Sequence, residues 1–278
     1  MPFAFVAIAQ PNGASRGAGH PRRSRKLRVA GDPVDQAPVG TSQSSQRWPT
    51  VAFVAEIQLG RQTDRFGFVV VDPVRAFTDP TGRIGQIHPA DQFSVILETV
   101  ERLASFTAAH SGPKVWITSL YAPGQFSDGD LDHPLARLCT DPAGDDCVWD
   151  ERLAPPPGAL VVTKTSMDAG SCPTFVDATE AMVGSVDAVI ISGFWLSACV
   201  AATATSCAER LAGRVPVVVP LSLAATRLAL YDPSDNHPAD IDVTRQLQQL
   251  RTRGVVVCDT PEGWRRSGLA RSDGAEGT

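Results

Sequence analysis

Six short apolar runs set the limits on what this chain can fold into. Phe68-Val69-Val70-Val71, Lys114-Val115-Trp116-Ile117-Thr118, Ala159-Leu160-Val161-Val162, Ala188-Val189-Ile190-Ile191, Val215-Pro216-Val217-Val218-Val219 and Val255-Val256-Val257-Cys258 are continuous rather than alternating. A strand that is apolar at successive positions needs cover on both faces, which is the condition of a parallel sheet. Helical patterns lie between the runs. Residues 91–108 place Phe93, Ile96, Leu97, Val100 and Leu103 on one face; residues 198–211 do the same with Val200, Ala204, Cys207 and Leu211; residues 239–252 with Val243, Leu247 and Leu250. A short helix is expected over 174–183, and Gly193 is expected to end the fourth run. The rhythm predicts an α/β fold, doubly wound, with a mostly parallel six-stranded sheet and helices on both faces.

This pattern is confined to the middle of the chain. Residues 1–48 are expected to form a basic, Gly/Ser-rich disordered tail, 49–265 the folded domain, and 266–278 a frayed end. The Gly13-Ala14-Ser15-Arg16-Gly17 stretch has the spacing of a nucleophile elbow but no strand before it or helix after it, so it is set aside. A net charge of −5 gives no reason to expect nucleic acid or an anionic membrane as a partner, and no apolar run is long enough to span a bilayer. Cys139, Cys147, Cys172, Cys199, Cys207 and Cys258 show no C-x-x-C pair and no zinc spacing. In a domain of this size they read as cytosolic thiols. A Cys139–Cys147 bridge is permitted by the spacing and disfavoured by that context. The expected location is cytoplasmic.

Ligands of such a sheet bind beyond the carboxyl ends of its strands. The first strand delivers Asp72 to that edge, the third delivers Lys164, and the fourth leads to Cys199 at a helix start. Each has an ordinary structural explanation: a turn residue before proline, a solvated charge, a small packing residue. Together they meet the needs of an activated thiol. A helix N-terminus and an ammonium lower a thiol pKa, and a carboxylate can take the thiol proton and return it to a leaving group.

Val70-Val71-Asp72-Pro73-Val74-Arg75-Ala76-Phe77-Thr78-Asp79-Pro80 resembles the first-strand motif of isochorismatase-like cysteine hydrolases, and Val161-Val162-Thr163-Lys164 their lysine strand. Gly193-Phe194-Trp195-Leu196-Ser197-Ala198-Cys199-Val200 is similar to their nucleophile turn. The resemblance runs in order over about residues 66–260. It implies Asp72 as general base and acid, Lys164 as the ammonium that steadies the thiolate, and Cys199 as nucleophile. It also implies a cis peptide between Phe194 and Trp195, an oxyanion hole from the Trp195 and Cys199 amides, and a homo-oligomer, dimer or tetramer. The substrate would be a small molecule whose C–N bond (amide, ureido or carbamoyl) opens through a thioester. The Phe77-Thr78-Asp79-Pro80 stretch is nearest the N-carbamoylsarcosine amidohydrolase type.

The departures matter as much. Metal-dependent relatives carry Asp-x-His after the second strand, where this chain has Ser119-Leu120-Tyr121-Ala122-Pro123. His20, His88, His110, His133 and His237 form no recognisable ligand set. Neither a metal nor another cofactor is expected, and no glycine fingerprint follows the first strand. Trp195, Leu196 and the segment Thr165–Cys172 differ from the usual pattern, which leaves a binding protein without turnover as the alternative. Phe77, Tyr121, Phe126 and Trp195 are candidate substrate walls. Arg75 is read as a surface charge in preference to a carboxylate clamp.

Overall fold

The computed structural model describes residues 65–87, 90–127, 129–225 and 243–261. The tails expected at 1–48 and 266–278, His20, His88, His237 and the first residues of the 239–252 helix lie outside the described residues.

The apolar runs become the parallel strands β1 (Phe66–Val71), β2 (Lys114–Ser119), β3 (Leu160–Lys164), β4 (Ala188–Phe194), β5 (Val217–Pro220) and β7 (Val256–Cys258). A two-residue strand, β6 (Ala224–Ala225), was not expected and pairs with the end of β4. The sheet order is β3-β2-β1-β4-β5-β7, and these strands, with β6 beside β4, all pair parallel. The order reverses between β1 and β4, so the ligand crevice of this topology lies at their carboxyl ends.

Helices cover both faces, as the continuous runs require. Phe68 and Val70 of β1 pack with Phe93, Ile96, Val100 and Leu103 of α2 (Ala90–Ala109). Val69 and Val71 belong to the opposite layer, with Phe175 and Met182 of α3 (Pro173–Met182), Ala204, Cys207 and Leu211 of α4 (Ala201–Leu211) and Leu250 of α5 (Val243–Thr252). Alternate side chains of one strand thus feed two cores. A short helix, α1 (Arg75–Thr78), follows β1 directly.

Gly193 does not end β4. The strand runs on to Phe194, with Gly193 in register with Val71. Gly193 has φ +107°, and a Cβ there would be driven into the Val71 backbone. Only glycine lets β4 pass so close to β1 in that conformation. The expected helix start at 198 is also modified. A π-helical turn, Leu196–Val200, precedes α4, so Cys199 sits in a wide turn and not in the first α-helical one.

Candidate active site

The strand register sets the site. Ser119 at the end of β2 pairs with Lys164 at the end of β3, and Asp72, one residue past β1, bonds through its N–H to Ile117 O at 2.9 Å. Asp72 is fully buried and adopts φ +51°, a left-handed conformation unusual for a residue before proline. Such an outlier persists only where the surroundings hold it, and it turns the carboxylate toward β2 and β3.

There the three sequence-predicted groups meet. Lys164 Nζ lies 2.9 Å from Asp72 Oδ2 and 3.3 Å from Cys199 Sγ. Two further hydroxyls join them: Lys164 Nζ is 2.6 Å from Ser119 Oγ and 2.7 Å from Tyr121 Oη. Ser119 Oγ is 2.7 Å from Asp72 Oδ1, and Tyr121 Oη is 3.5 Å from Cys199 Sγ. An ammonium has three protons and here faces four acceptors. A consistent assignment gives them to Asp72, Ser119 and Tyr121. Ser119 then donates to Asp72, and Tyr121 donates to the Cys199 sulfur.

The electrostatics correct one sequence expectation. Lys164 does lower the Cys199 thiol pKa, but burial raises it first and Asp72 raises it next, and the net value is pushed up to about 11. The resting pair is therefore a neutral thiol beside a carboxylate. For Lys164, burial opposes the charge, yet Asp72 and then Cys199 outweigh it and hold the ammonium above the ordinary lysine value. The lysine stays charged through the neutral range. A thiol at a pKa of about 11 also predicts a labelling profile: iodoacetamide modification of Cys199 should rise roughly tenfold per pH unit from pH 7 to 10, as the thiolate fraction does.

Ser119 is the site residue that sequence reasoning missed. It is polar and stands at the last position of a buried strand, a signal that could have found it. Replacing it by alanine removes one bond to each member of the Asp72–Lys164 pair. Ser119→Ala should lower stability by about 1.5–3 kcal/mol, the usual size for hydrogen bonds to charged groups, read by urea unfolding.

The expected aromatic residues lie around this cluster. Phe77 meets Trp195 edge-on at 6.4 Å, and Phe126 meets Tyr121 edge-on at 4.7 Å. Tyr121 is thus more than a wall, since its hydroxyl contacts Lys164 and Cys199. The Phe194–Trp195 peptide is cis, and the Trp195 carbonyl accepts from Ala198 N and Val200 N. Arg75 pairs with Asp79 at 3.2 Å and reaches Asp145 at 4.0 Å, a surface arrangement. The divergent segment after Lys164 is anchored by Asp168, which accepts from Gly170 N and from Ser206 Oγ of α4. Among the described residues no group of three His, Cys, Asp or Glu could hold a metal ion, and no helix is long and apolar enough to cross a membrane.

Fold and site define a class: a doubly wound α/β protein with a buried thiol–carboxylate–ammonium cluster at the switch point of its sheet. The Isochorismatase domain profile matches residues 67–220, and the chain belongs to that family. Among solved structures it is similar to a cysteine hydrolase from Pseudomonas syringae pv. phaseolicola (TM-score 0.55, 21% identity, covering 73% of this chain and 92% of that one). It is also similar to the zinc-complexed pyrazinamidase of Pyrococcus horikoshii (0.50, 16%, 69% and 98%). A third similarity is to N-carbamoylsarcosine amidase from Thermoplasma acidophilum (0.47, 20%, 70% and 95%). At these identities the likeness to the first two speaks for the fold alone. No curated protein matches the chain.

Proposed function

We propose that this protein is a cysteine-dependent hydrolase that opens a C–N bond of a small amide, ureido or carbamoyl compound through a thioester. The observation that supports this best is Lys164 Nζ standing between the Asp72 carboxylate, at 2.9 Å, and the Cys199 sulfur, at 3.3 Å, in a fully buried cluster. Since the thiol is neutral at rest, Asp72 removes its proton as sulfur attacks the carbonyl carbon, not before. Lys164 offsets the negative charge as it passes from the carboxylate through sulfur toward the substrate oxygen. The Trp195 and Cys199 amides receive the oxyanion. Cys199 lies in the first turn of a helical segment, where N–H groups lack upstream partners. Asp72 next gives its proton to the leaving nitrogen, which departs as ammonia or an amine. A water molecule, deprotonated by the same carboxylate, cleaves the thioester. Phe77, Tyr121, Phe126 and Trp195 suit the body of a small substrate, and the sequence after Phe77 favours the carbamoyl type.

Asp72→Asn separates the two halves of this mechanism. It removes the proton acceptor, so turnover should fall by about 10²–10⁴, the usual worth of general acid–base catalysis. It also removes the negative charge that raises the thiol pKa, so iodoacetamide labelling at pH 8 should become faster. Loss of labelling together with turnover would point to a collapsed site.

Ammonia release from a panel of small amides, ureides and N-carbamoyl amino acids tests the proposal. We expect activity to survive EDTA, because the positions after β2 are Ser119 to Pro123, with neither Asp nor His. Loss in EDTA and recovery with zinc would contradict that. The high thiol pKa favours a second reading, a binding protein of the same fold without turnover. Tight binding of panel members with no product would select it.

A further inference from the structure

The loop between β2 and β3 brings a second pair of thiols against the site. Cys139 and Cys147 are separated by seven residues in sequence (140–146), and Cys139 Sγ folds back to the peptide just before Cys147, 3.9 Å from Asp146 O. Cys139 is fully buried and has φ +49°, while Cys147 is half-buried. Each is tied to one of the residues that hold Lys164. The Cys139 carbonyl accepts from Tyr121 N at 2.9 Å, and Cys147 Sγ donates to Ser119 O at 3.7 Å. Asp146 fixes the turn between them, accepting from Cys139 N at 3.1 Å and pairing with Arg83 Nε at 2.6 Å.

We propose that Cys139 and Cys147 are a reversible dithiol, oxidised to a disulfide by low-molecular-weight disulfides, and that this bond alters the Cys199 site through Ser119 and Tyr121. The two thiols differ in the way the exchange needs. The neighbouring Cys139 thiol holds the Cys147 thiol below its ordinary value, while Cys147 and then burial raise Cys139. Cys147 thiolate is the sulfur that attacks. It forms a mixed disulfide and expels one small thiolate. Cys139, giving up its proton, then attacks the Cys147 sulfur and expels the second. Two protein thiols are oxidised and one small disulfide is reduced to two thiols, the two protons going to the departing thiolates. The new bond draws Cys147 from Ser119 O and shifts the carbonyl that anchors Tyr121. Both hydroxyls on Lys164 are thereby displaced, and the ammonium that lowers the Cys199 pKa is loosened.

The test is a series of oxidised-to-reduced glutathione ratios on the full chain, followed by alkylation and peptide mass mapping. The expected result is a Cys139–Cys147 linked peptide that has lost two hydrogens and carries no glutathione, while Cys207 remains alkylatable. Cys139→Ser should trap a glutathione adduct on Cys147. On the oxidised wild type, iodoacetamide labelling of Cys199 should slow several-fold and recover with reductant. The Cys139→Ser/Cys147→Ser double variant should label at one rate at every ratio. No linked peptide at the most oxidising ratio would overturn the dithiol. A linked peptide with unchanged Cys199 labelling would overturn its coupling to the site. Neither readout depends on hydrolysis, so the proposal stands or falls apart from the reaction assigned above.

Discussion

Cys199→Ala should abolish turnover and leave the fold standing. The sulfur is the strongest nucleophile in the cluster, and it can bond to a carbonyl carbon while Asp72 and Lys164 stay paired at 2.9 Å. Removing a nucleophile from a unit of this kind costs on the order of 10⁴-fold or more in kcat. The stability cost should be far below the ~2–5 kcal/mol of large core truncations, since one sulfur is lost and the neighbours keep their partners. Thermal unfolding beside an ammonia-release assay reads both quantities. In the proposed mechanism Asp72 acts through Cys199, so the Cys199→Ala/Asp72→Asn double variant should be little slower than Cys199→Ala alone. Residual turnover in Cys199→Ala near the wild-type value would remove the thioester mechanism.

Lys164→Met should be the most destabilising single change in the site. Lys164 is 1% exposed and Asp72 is 0% exposed, so deleting the ammonium leaves a buried carboxylate with Ser119 as its one remaining neutral donor. Breaking a buried ion pair from one side costs about 3–5 kcal/mol. The penalty comes from the uncompensated charge, so the Lys164→Met/Asp72→Asn double variant should recover much of the loss. Urea unfolding of the single and double variants measures this, and an equal loss in both would mean that packing and not charge is responsible. Labelling of Cys199 should slow in this variant, because the ammonium is the neighbour that pulls its pKa down. That is opposite in sign to the effect expected of Asp72→Asn.

The strands and their order of use were legible in the sequence, for a physical reason. A parallel strand covered on both faces has to be apolar along its length, as β1, buried at all six positions, shows. The stripe of Ala204, Cys207 and Leu211 was legible because helical period and burial coincide there. The passage of β4 through Gly193 was not. Glycine reads as a break unless the neighbouring strand that forbids a Cβ is known, and that neighbour is Val71. The short β6 and the π-turn before α4 carry no local signal, since both depend on what they pack against.

The candidate site divides in the same way. The sequence by itself determined that Asp72, Lys164 and Cys199 would reach one edge of the sheet, because each follows a strand and parallel strands all point one way. Only the tertiary structure decided how they are joined. The β2–β3 register puts Ser119 beside Lys164, and Tyr121, 43 residues before the lysine, completes its hydrogen bonds. It also decided the sign of the thiol shift. A lysine and a helix start predict an acidic thiol, but the cost of burying charge depends on how completely the neighbours exclude water, and chain order does not encode that. Burial and the charge of the nearby carboxylate outweigh the ammonium, so the cysteine rests as a neutral thiol.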